Sequence, residues 1–379
     1  MKKLLKFLVY TIALIALFSL GLQLTGNGYL IKGIWATYLH GHNTASIDDM
    51  KFFDLGEVKA THPQPWEQHA NYNEALLPDE MRMSLNTSES VAFVAIKEGK
   101  VLYEEYWDNY SSESHSNSFS MAKSITSILG QLAIQKGYIP SWDEPVINYL
   151  PELKGEFSGQ VTLRHLTTMT ADLTWEEKYK SPFAITAKTY FGEDIKQVLY
   201  ENVPAERKPG VNYIYQSGAT EYLGMAIEKA VGKPIYEFAS EELWGPLGAE
   251  EDAYWHLDHA EGMALTFCCF NSNAMDFARL GQLMLNHGEW NGEQLLDSAY
   301  TGLAQQPYRS DYYGHSFWLD HEGGEGVYYF RGVLGQYIIV FPERDLVVVR
   351  LGKKRVYDPN SPHPKDFRSI VNGVKELNW

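Results

Sequence analysis

The chain has 379 residues, of which 45% are hydrophobic and 21% charged, a composition typical of a packed globular protein and not of a disordered one. Its mean hydropathy of -0.30 excludes a polytopic membrane protein. Lysine and arginine number 32 against 48 aspartates and glutamates, so the formal net charge is -16, and a field of that sign predicts no nucleic-acid partner.

The first 26 residues differ in character from the rest of the chain. Three lysines precede an uncharged apolar run at residues 7–22, and the next charge is Lys32. The apolar part of a signal peptide has about 7–15 residues and a membrane-spanning helix about 17–25, so the run fits a long signal or a short anchor. Residues 19–21 offer a cleavage site, but we favour an uncleaved anchor. The preceding lysines predict an exported body, periplasmic or extracytoplasmic, tethered to the inner membrane by this helix.

The main body begins with a β-hairpin pattern. Residues 27–86 show little sustained periodicity and are predicted to be a connector. Residues 91–96 and 101–107 are rich in β-branched and aromatic residues and are separated by a turn, which predicts a hairpin. Three more strands are predicted near the C-terminus: residues 327–331, 337–341 and 346–351.

The chain between these β regions has helical periodicity. Helices are predicted around residues 125–132, ending at Gly137, and at residues 220–231, 274–285 and 365–377. We therefore predict an α+β fold for residues 87–379. Both chain ends would contribute to one antiparallel sheet with helices on both faces, and a mainly helical subdomain at about 120–290 would be inserted. A site is expected in the cleft between the two parts.

Ser120 and Lys123 form an S-x-x-K motif. A spacing of three residues places both side chains on one face of a helix. A serine hydroxyl is a weak nucleophile that needs a base, and Lys123 would serve if burial kept its amine neutral. The positive end of the helix would favour the developing negative charge on the serine oxygen. By spacing alone the motif is unspecific, because a capping serine and a solvated lysine give the same pattern.

A second element lies at residues 209–218, where a turn and a short extended stretch lead into a helix. Tyr215 and Ser217 fall on the same side of an extended segment. A phenol can shuttle protons during catalysis. The competing interpretation is a core tyrosine followed by a capping serine.

Together these segments resemble the serine β-lactamase and penicillin-binding-protein superfamily, for which S-x-x-K is a signature. The resemblance is greatest to its class C-like branch of esterases, D-aminopeptidases and 6-aminohexanoate-dimer hydrolases. It covers roughly residues 91–351 and is more specific than one tetrapeptide, because several segments occur in the family's order. These segments are residues 120–124, 161–170, 209–224, 262–281 and 335–352.

The resemblance implies a role for each matching residue. Ser120 would be the nucleophile, Lys123 and Tyr215 the proton-transfer groups, and Ser217 a residue that orients them. The backbone N–H groups of Ser120 and Val333 would form the oxyanion hole. The implied reaction is hydrolysis of a small ester or amide through an acyl-enzyme, with no metal or organic cofactor.

The chain departs from the family pattern at the last active-site strand. The usual Lys-Thr-Gly or His-x-Gly is replaced by Phe330-Arg331-Gly332. Arg331 either replaces the missing charge or points away. The loss of the shorter cation puts recognition of β-lactams and D-alanyl peptides in doubt. A D-Ala-directed peptidase or β-lactamase therefore remains an alternative. An alternative of another class is a catalytically silent relative that binds a cell-envelope ligand.

Three further residues are candidates for the site. His363 is a late histidine between two prolines, as in some relatives of the 6-aminohexanoate-dimer hydrolases. Asn271 follows the two cysteines, where a turn asparagine is the competing interpretation. Trp175 belongs to residues 173–191, an aromatic segment that forms either a flap over the substrate or a packed loop.

Histidine and cysteine patterns predict neither a metal site nor a disulfide. His256 and His259 have metal-like spacing without an evident third ligand, so we interpret them as an exposed structural pair. Cys268 and Cys269 are adjacent, and disulfides usually join Cα atoms farther apart, so two buried thiols are expected. The sequence leaves the substrate and the oligomeric state open.

Overall fold

The chain folds around a seven-stranded antiparallel sheet, as seen in a computed structural model that describes residues 1–322 and 324–379. The strands of this described part are β1 (Asp54–Val58), β2 (Ser90–Lys97), β3 (Lys100–Tyr106), β4 (Ser116–Asn117), β5 (Ala253–Leu257), β6 (Phe270–Ser272), β7 (Glu289–Trp290), β8 (Glu293–Gln294), β9 (Tyr313–Gly314), β10 (Phe317–Asp320), β11 (Val327–Gly332), β12 (Gln336–Phe341) and β13 (Leu346–Gly352). Its α-helices are α1 (Lys2–Leu24), α2 (Tyr29–Ala36), α3 (Asp79–Thr87), α4 (Ala122–Gln135), α5 (Leu163–Thr167), α6 (Ile185–Phe191), α7 (Ile195–Asn202), α8 (Ser217–Val231), α9 (Ile235–Ala239), α10 (Ala274–Leu285), α11 (Ser298–Ala304) and α12 (Lys365–Leu377).

The main sheet combines strands from two distant parts of the chain. Its order is β3-β2-β13-β12-β11-β10-β9, so β2 from the first hairpin pairs with β13 from the last one. All its neighbouring strands are antiparallel. This arrangement confirms the predicted α+β fold with a sheet assembled from both ends of the chain.

Helices cover both faces of the main sheet. Successive side chains of a strand point to opposite faces, so neighbouring residues of the same strand contact different helices. Ile338 and Val347 face α10 at Gly281, where a Cβ would lie 2.5 Å from Val347 Cγ1 and 2.8 Å from Ile338 Cγ2. Tyr337 faces the opposite way and contacts Phe367 of α12, with ring centroids 6.0 Å apart. The strands are therefore apolar on both faces, as their uninterrupted hydrophobic sequence requires.

Residues 27–86 do more than connect. Within them, β1 pairs antiparallel with β5, with Gly56 opposite Trp255. These two strands and β6 and β4 make a second, four-stranded sheet, which the sequence analysis missed. Strands of two to five residues have too little periodicity to be identified from their own sequence. In addition, β1 and its partner β5 are about 200 residues apart in the sequence.

The apolar N-terminal run forms α1, a 23-residue helix with no buried residue. It is long and apolar enough to cross a membrane, a property that cleaved signal sequences share. A four-residue link, 25–28, separates α1 from α2, and α2 packs against α6.

The prediction of two free thiols is wrong. Cys268 and Cys269 are joined by a disulfide, with Cα atoms 3.7 Å apart. The usual separation of bridged cysteines argued against this bond. The backbone at Cys269 has a positive φ of 71°, so the chain turns between the two residues. That local conformation cannot be read from the sequence.

The contact between α10 and the main sheet gives a stability prediction. We expect Gly281→Ala to lower the free energy of unfolding by about 1–3 kcal/mol, because its Cβ would press on the buried methyl groups of Val347 and Ile338. Gly302→Ala on α11 is the matched control, since nothing lies within 4 Å of its Cβ position and alanine favours a helix. Thermal unfolding of both variants checks this. Equal stability of the two variants would contradict the packing account.

Candidate active site

Ser120 lies in a 3₁₀ turn, Phe119–Met121, that leads directly into α4. Phe119 has a positive φ of 45°, a conformation that costs a bulky residue about 1–3 kcal/mol. The turn is held in place by hydrogen bonds to its backbone. The Phe119 N–H donates to Asn117 Oδ1 at 2.8 Å and the Ser118 N–H to the Phe270 carbonyl at 2.9 Å. Ser120 itself remains half-buried at the surface of this rigid turn.

Lys123 lies one helical turn further on and is buried, with only 1% of its surface exposed. Its Nζ donates hydrogen bonds to Ser120 Oγ at 2.9 Å and to the Phe267 carbonyl at 2.8 Å. The lysine is therefore not solvated. The hydrogen bond to the Phe267 carbonyl orients the amine towards Ser120 Oγ.

A buried carboxyl group supports the backbone that positions Lys123. Glu221 Oε2, on α8, accepts hydrogen bonds from the Thr266 N–H at 2.7 Å and from Thr266 Oγ1 at 2.8 Å. Thr126 Oγ1 of α4 donates to the Thr266 carbonyl at 2.9 Å. Burial raises the pKa of Glu221 to about 8. The Phe267 carbonyl therefore belongs to a segment attached to both helices.

Tyr215 lies just before α8 and is half-buried beside the lysine. Lys123 Nζ is 5.1 Å from the centroid of its ring. The ring also packs on Tyr313 and Trp318 of the main sheet, with centroids 5.9 and 5.6 Å away. The structure thus brings Ser120, Lys123 and Tyr215 together where the sheet meets the helices.

Ser217 is hydrogen-bonded to the carboxylate of Glu177. Its Oγ donates to Glu177 Oε1 at 2.7 Å and its N–H to Glu177 Oε2 at 2.8 Å. Glu177 also accepts hydrogen bonds from Trp175 Nε1 and from the Tyr179 hydroxyl, each at 2.6 Å. The carboxylate therefore joins the aromatic segment 173–191 to the first turn of α8, where helix polarity favours a negative charge.

Sequence reasoning missed Glu177. The only signal was an acidic residue near two aromatic ones, and its partner Ser217 is 40 residues away in the sequence. Trp175 itself is buried, and its ring packs so closely on Gly218 that a Cβ there would lie 2.6 Å from it. It supports the start of α8.

The end of β11 passes directly beside the turn that carries Ser120. Gly332 approaches the Ser118 carbonyl so closely that no Cβ would fit, and Val333 follows in another 3₁₀ turn. The Arg331 guanidinium lies over Trp318, with Cζ 3.2 Å from the ring centroid. Its Nη1 donates to the Pro362 carbonyl at 2.7 Å. Within the described part of the chain, no carboxylate forms an ion pair with Arg331.

His363 and Asn271 are both buried, with partners in the core. His363 Nδ1 and the Tyr329 hydroxyl share a hydrogen bond of 2.8 Å, and burial lowers the pKa of the imidazole to about 4. Asn271 Nδ2 donates to the carbonyls of Tyr254 and Cys269 at 3.0 Å. Among the described residues, neither side chain is hydrogen-bonded to Ser120 or Lys123.

The two histidines with metal-like spacing lie in different surroundings. His256 is fully buried and stacks on Phe53, with ring centroids 4.2 Å apart, so the predicted exposure is wrong for it. It is part of β5, whose pairing with β1 the sequence did not reveal. His259 is exposed and contacts Asp258. The residues that the structure describes include no group of three or more potential metal ligands.

The raised pKa of Glu221 predicts a pH-dependent stability. The pKa of its carboxyl is near the usual 4.5 in the unfolded chain and about 8 in the folded one. Between these pH values the group loses its proton only in the unfolded chain, which lowers the free energy of the unfolded state. Wild-type stability contributed by this group should fall as pH rises through that window. Glu221→Gln retains an acceptor oxygen and cannot ionise. We expect its stability relative to wild type to increase between about pH 5 and pH 8.

Chemical denaturation across that pH range measures this difference. Glu113→Gln, at an exposed loop position, is the control and should follow the wild-type curve. A Glu221→Gln curve that runs parallel to wild type would contradict the buried, protonated carboxyl.

Comparison with known proteins agrees with the geometry. The Beta-lactamase family model matches residues 84–371. The chain is 23% identical to the 6-aminohexanoate-dimer hydrolase of Paenarthrobacter ureafaciens, over 79% of this chain and 80% of that protein. A Bacillus anthracis structure assigned to the 6-aminohexanoate-dimer hydrolases has a TM-score of 0.75 at 22% identity, covering 88% of this chain and 91% of its own.

A third relative extends the chemistry represented on this fold. EstCE1, described as a hydrolase with promiscuous acyltransferase activity, has a TM-score of 0.59 at 15% identity and covers 78% of this chain and 98% of its own. The family match spans most of the chain, so the resemblance inferred from the motifs is confirmed. The chain belongs to the Beta-lactamase family and is a hydrolase with the serine β-lactamase and penicillin-binding-protein fold.

Proposed function

We propose that this hydrolase cleaves a small ester or amide through an acyl-enzyme on Ser120. The observation that supports it most directly is the buried Lys123 amine, 2.9 Å from Ser120 Oγ. In its neutral form the amine takes the serine proton while Oγ attacks the substrate carbonyl carbon. Tyr215, beside the same amine, donates its hydroxyl proton to the leaving group as the bond between that group and the carbonyl carbon breaks, and Lys123 returns a proton to Tyr215. Water then attacks the acyl-enzyme, the acid is released and the serine hydroxyl is restored.

The proposed oxyanion hole uses the backbone N–H groups of Ser120 and Val333. The close approach of Gly332 to Ser118 supports this role, because it keeps the end of β11 against the 3₁₀ turn Phe119–Met121, which we call the nucleophile turn. Two such donors stabilise the negative oxygen of the tetrahedral intermediate. Loss of one donor typically lowers the rate by about 10²–10³.

The surroundings of Arg331 favour a small ester or amide over a D-alanyl peptide or a β-lactam. The guanidinium stacks on Trp318 and donates to the Pro362 carbonyl, so it is partly engaged by the protein. The names of the relatives point to the same chemistry, since one is a hydrolase of an amide dimer and another transfers acyl groups. A silent ligand binder is disfavoured, because burying a lysine amine against a serine has a desolvation cost that a binding role does not require.

Steady-state hydrolysis tests this proposal. We expect wild type to hydrolyse at least one of short acyl esters, the 6-aminohexanoate dimer and D-alanyl peptides, with esters or the dimer preferred. Ser120→Ala should lower kcat/KM by at least about 10³, and Lys123→Ala by about 10²–10⁴.

Two controls separate chemistry from general damage. Ser112→Ala is an exposed serine in the preceding loop, and Lys136→Ala lies at the other end of α4, paired with Glu242. Both should keep wild-type activity. Full activity in Ser120→Ala would refute the proposal, and durable labelling of Ser120 by penicillin would favour the β-lactam alternative.

We also propose that α1 is an uncleaved anchor and that the body lies on the outer side of the inner membrane. The apolar helix has no buried residue, and the lysines that precede its apolar run support this orientation. The full chain with a C-terminal tag should remain in carbonate-washed membranes, and protease added to spheroplasts should remove the tag. Replacing Lys2, Lys3 and Lys6 by glutamate should reduce the share of tag exposed outside. A soluble, shortened product would contradict the anchor.

A further inference from the structure

An exposed apolar surface follows the N-terminal helix. Ile34 and Trp35 of α2 and Tyr38 and Leu39 of the next 3₁₀ turn have 44–65% of their surface exposed. We call these four residues the α2 face. The opposite side of α2 is packed, with Gly33 against Phe191 of α6. A group of large apolar side chains that remain exposed to solvent indicates an interaction surface.

The position of the α2 face in the chain indicates what covers it. Five chain steps separate Leu24 from Tyr29, so α2 begins at most about 17 Å from the end of α1. All 48 acidic residues lie from Asp48 onward, so the sequence of α2 and of the 3₁₀ turn after it carries no negative charge, although the protein has a net charge of -16. Tryptophan and tyrosine are enriched at the lipid–water interface. Proximity to α1, the aromatic composition and the lack of acidic residues in this segment therefore favour a bilayer as the occupant.

Helix packing and a series of hydrogen bonds connect the α2 face to the candidate active site. Tyr190 of α6, the helix beneath α2, donates its hydroxyl hydrogen to Asp49 Oδ2 at 2.6 Å. Asn117 Nδ2 donates to the Tyr190 hydroxyl at 3.2 Å, and Asn117 Oδ1 holds Phe119 in the nucleophile turn. The aromatic segment 173–191 ends in α6 and carries Phe183, which is 73% exposed.

We propose that the α2 face lies in the outer lipid–water interface and holds the active site beside the bilayer. The substrate class that follows is an amphiphile whose ester or amide group lies at headgroup depth. This inference rests on the proposed hydrolase and its membrane anchor. It adds a second contact with lipid beyond α1 and a source from which substrate reaches Ser120.

A fluorescent label measures the lipid contact without reference to activity. The cysteines that the chain contains are joined in the Cys268–Cys269 disulfide, so Leu39→Cys in the full chain can be labelled selectively with nitrobenzoxadiazole. Met83→Cys on α3 is the matched control, with 64% exposure against 65% for Leu39. In phosphatidylcholine vesicles, we expect spin-labelled lipids to quench the label at position 39 several-fold more than at position 83.

Two results would overturn the proposal. Equal quenching at the two positions would show that the α2 face lies in water. Self-quenching at position 39 that increases with protein density, without quenching by lipid, would show that a second copy of the chain covers it.

Activity provides an independent arm. Trp35→Glu combined with Leu39→Glu should leave hydrolysis of a soluble acetate ester within twofold of wild type. Hydrolysis of a long-chain acyl ester embedded in the same vesicles should fall at least tenfold. Wild-type activity of this variant on the embedded ester would refute the substrate class. If wild type hydrolyses neither of these esters nor the 6-aminohexanoate dimer nor D-alanyl peptides, the proposed function fails, while lipid quenching still decides the position of the α2 face.

Discussion

The buried amine of Lys123, held between Ser120 Oγ and the Phe267 carbonyl, is the interaction on which the rest of the site depends. Removing an amine from water is costly unless its hydrogen bonds are replaced. Two hydrogen bonds to water are replaced here, one by a bond to Ser120 on the same helix face and one by a bond to the Phe267 carbonyl, 144 residues away in the sequence. The protein therefore fixes the lysine by tertiary structure, and Glu221 stabilises the segment that supplies the carbonyl.

The main sheet contributes the other wall of the site. Trp318 of β10 contacts both Tyr215 and Arg331, so one ring aligns the phenol and the guanidinium. Gly332 brings the neighbouring strand β11 against the turn that carries Ser120. Positive φ angles occur on both sides of this junction, at Phe119 and at Leu334. Backbone conformations of this kind persist only where the surrounding structure imposes them, and here both flank the groups proposed for catalysis.

Local patterns predicted those parts of the fold whose side-chain periodicity is visible within their own sequence. The hairpin β2–β3 and the helices α10 and α12 were found because alternation or helical periodicity runs through their whole length. The S-x-x-K pair was found because its two side chains belong to one helical turn. Pairing of β1 with β5, burial of His256 and the two hydrogen bonds between Ser217 and Glu177 depend on partners far along the chain. The Cys268–Cys269 disulfide occurs together with a positive φ at Cys269. No spacing rule reveals such features.

The central claim is that Ser120 becomes covalently acylated. Its most direct test is mass spectrometry of the full chain, quenched in acid within the first turnovers of an activated short-chain ester and then digested. The account predicts that the mass of the acyl group is added to the peptide containing Ser120, and that the adduct disappears on a longer incubation as substrate is exhausted. Turnover with an unmodified Ser120 peptide, or with the acyl group on another residue, would contradict it.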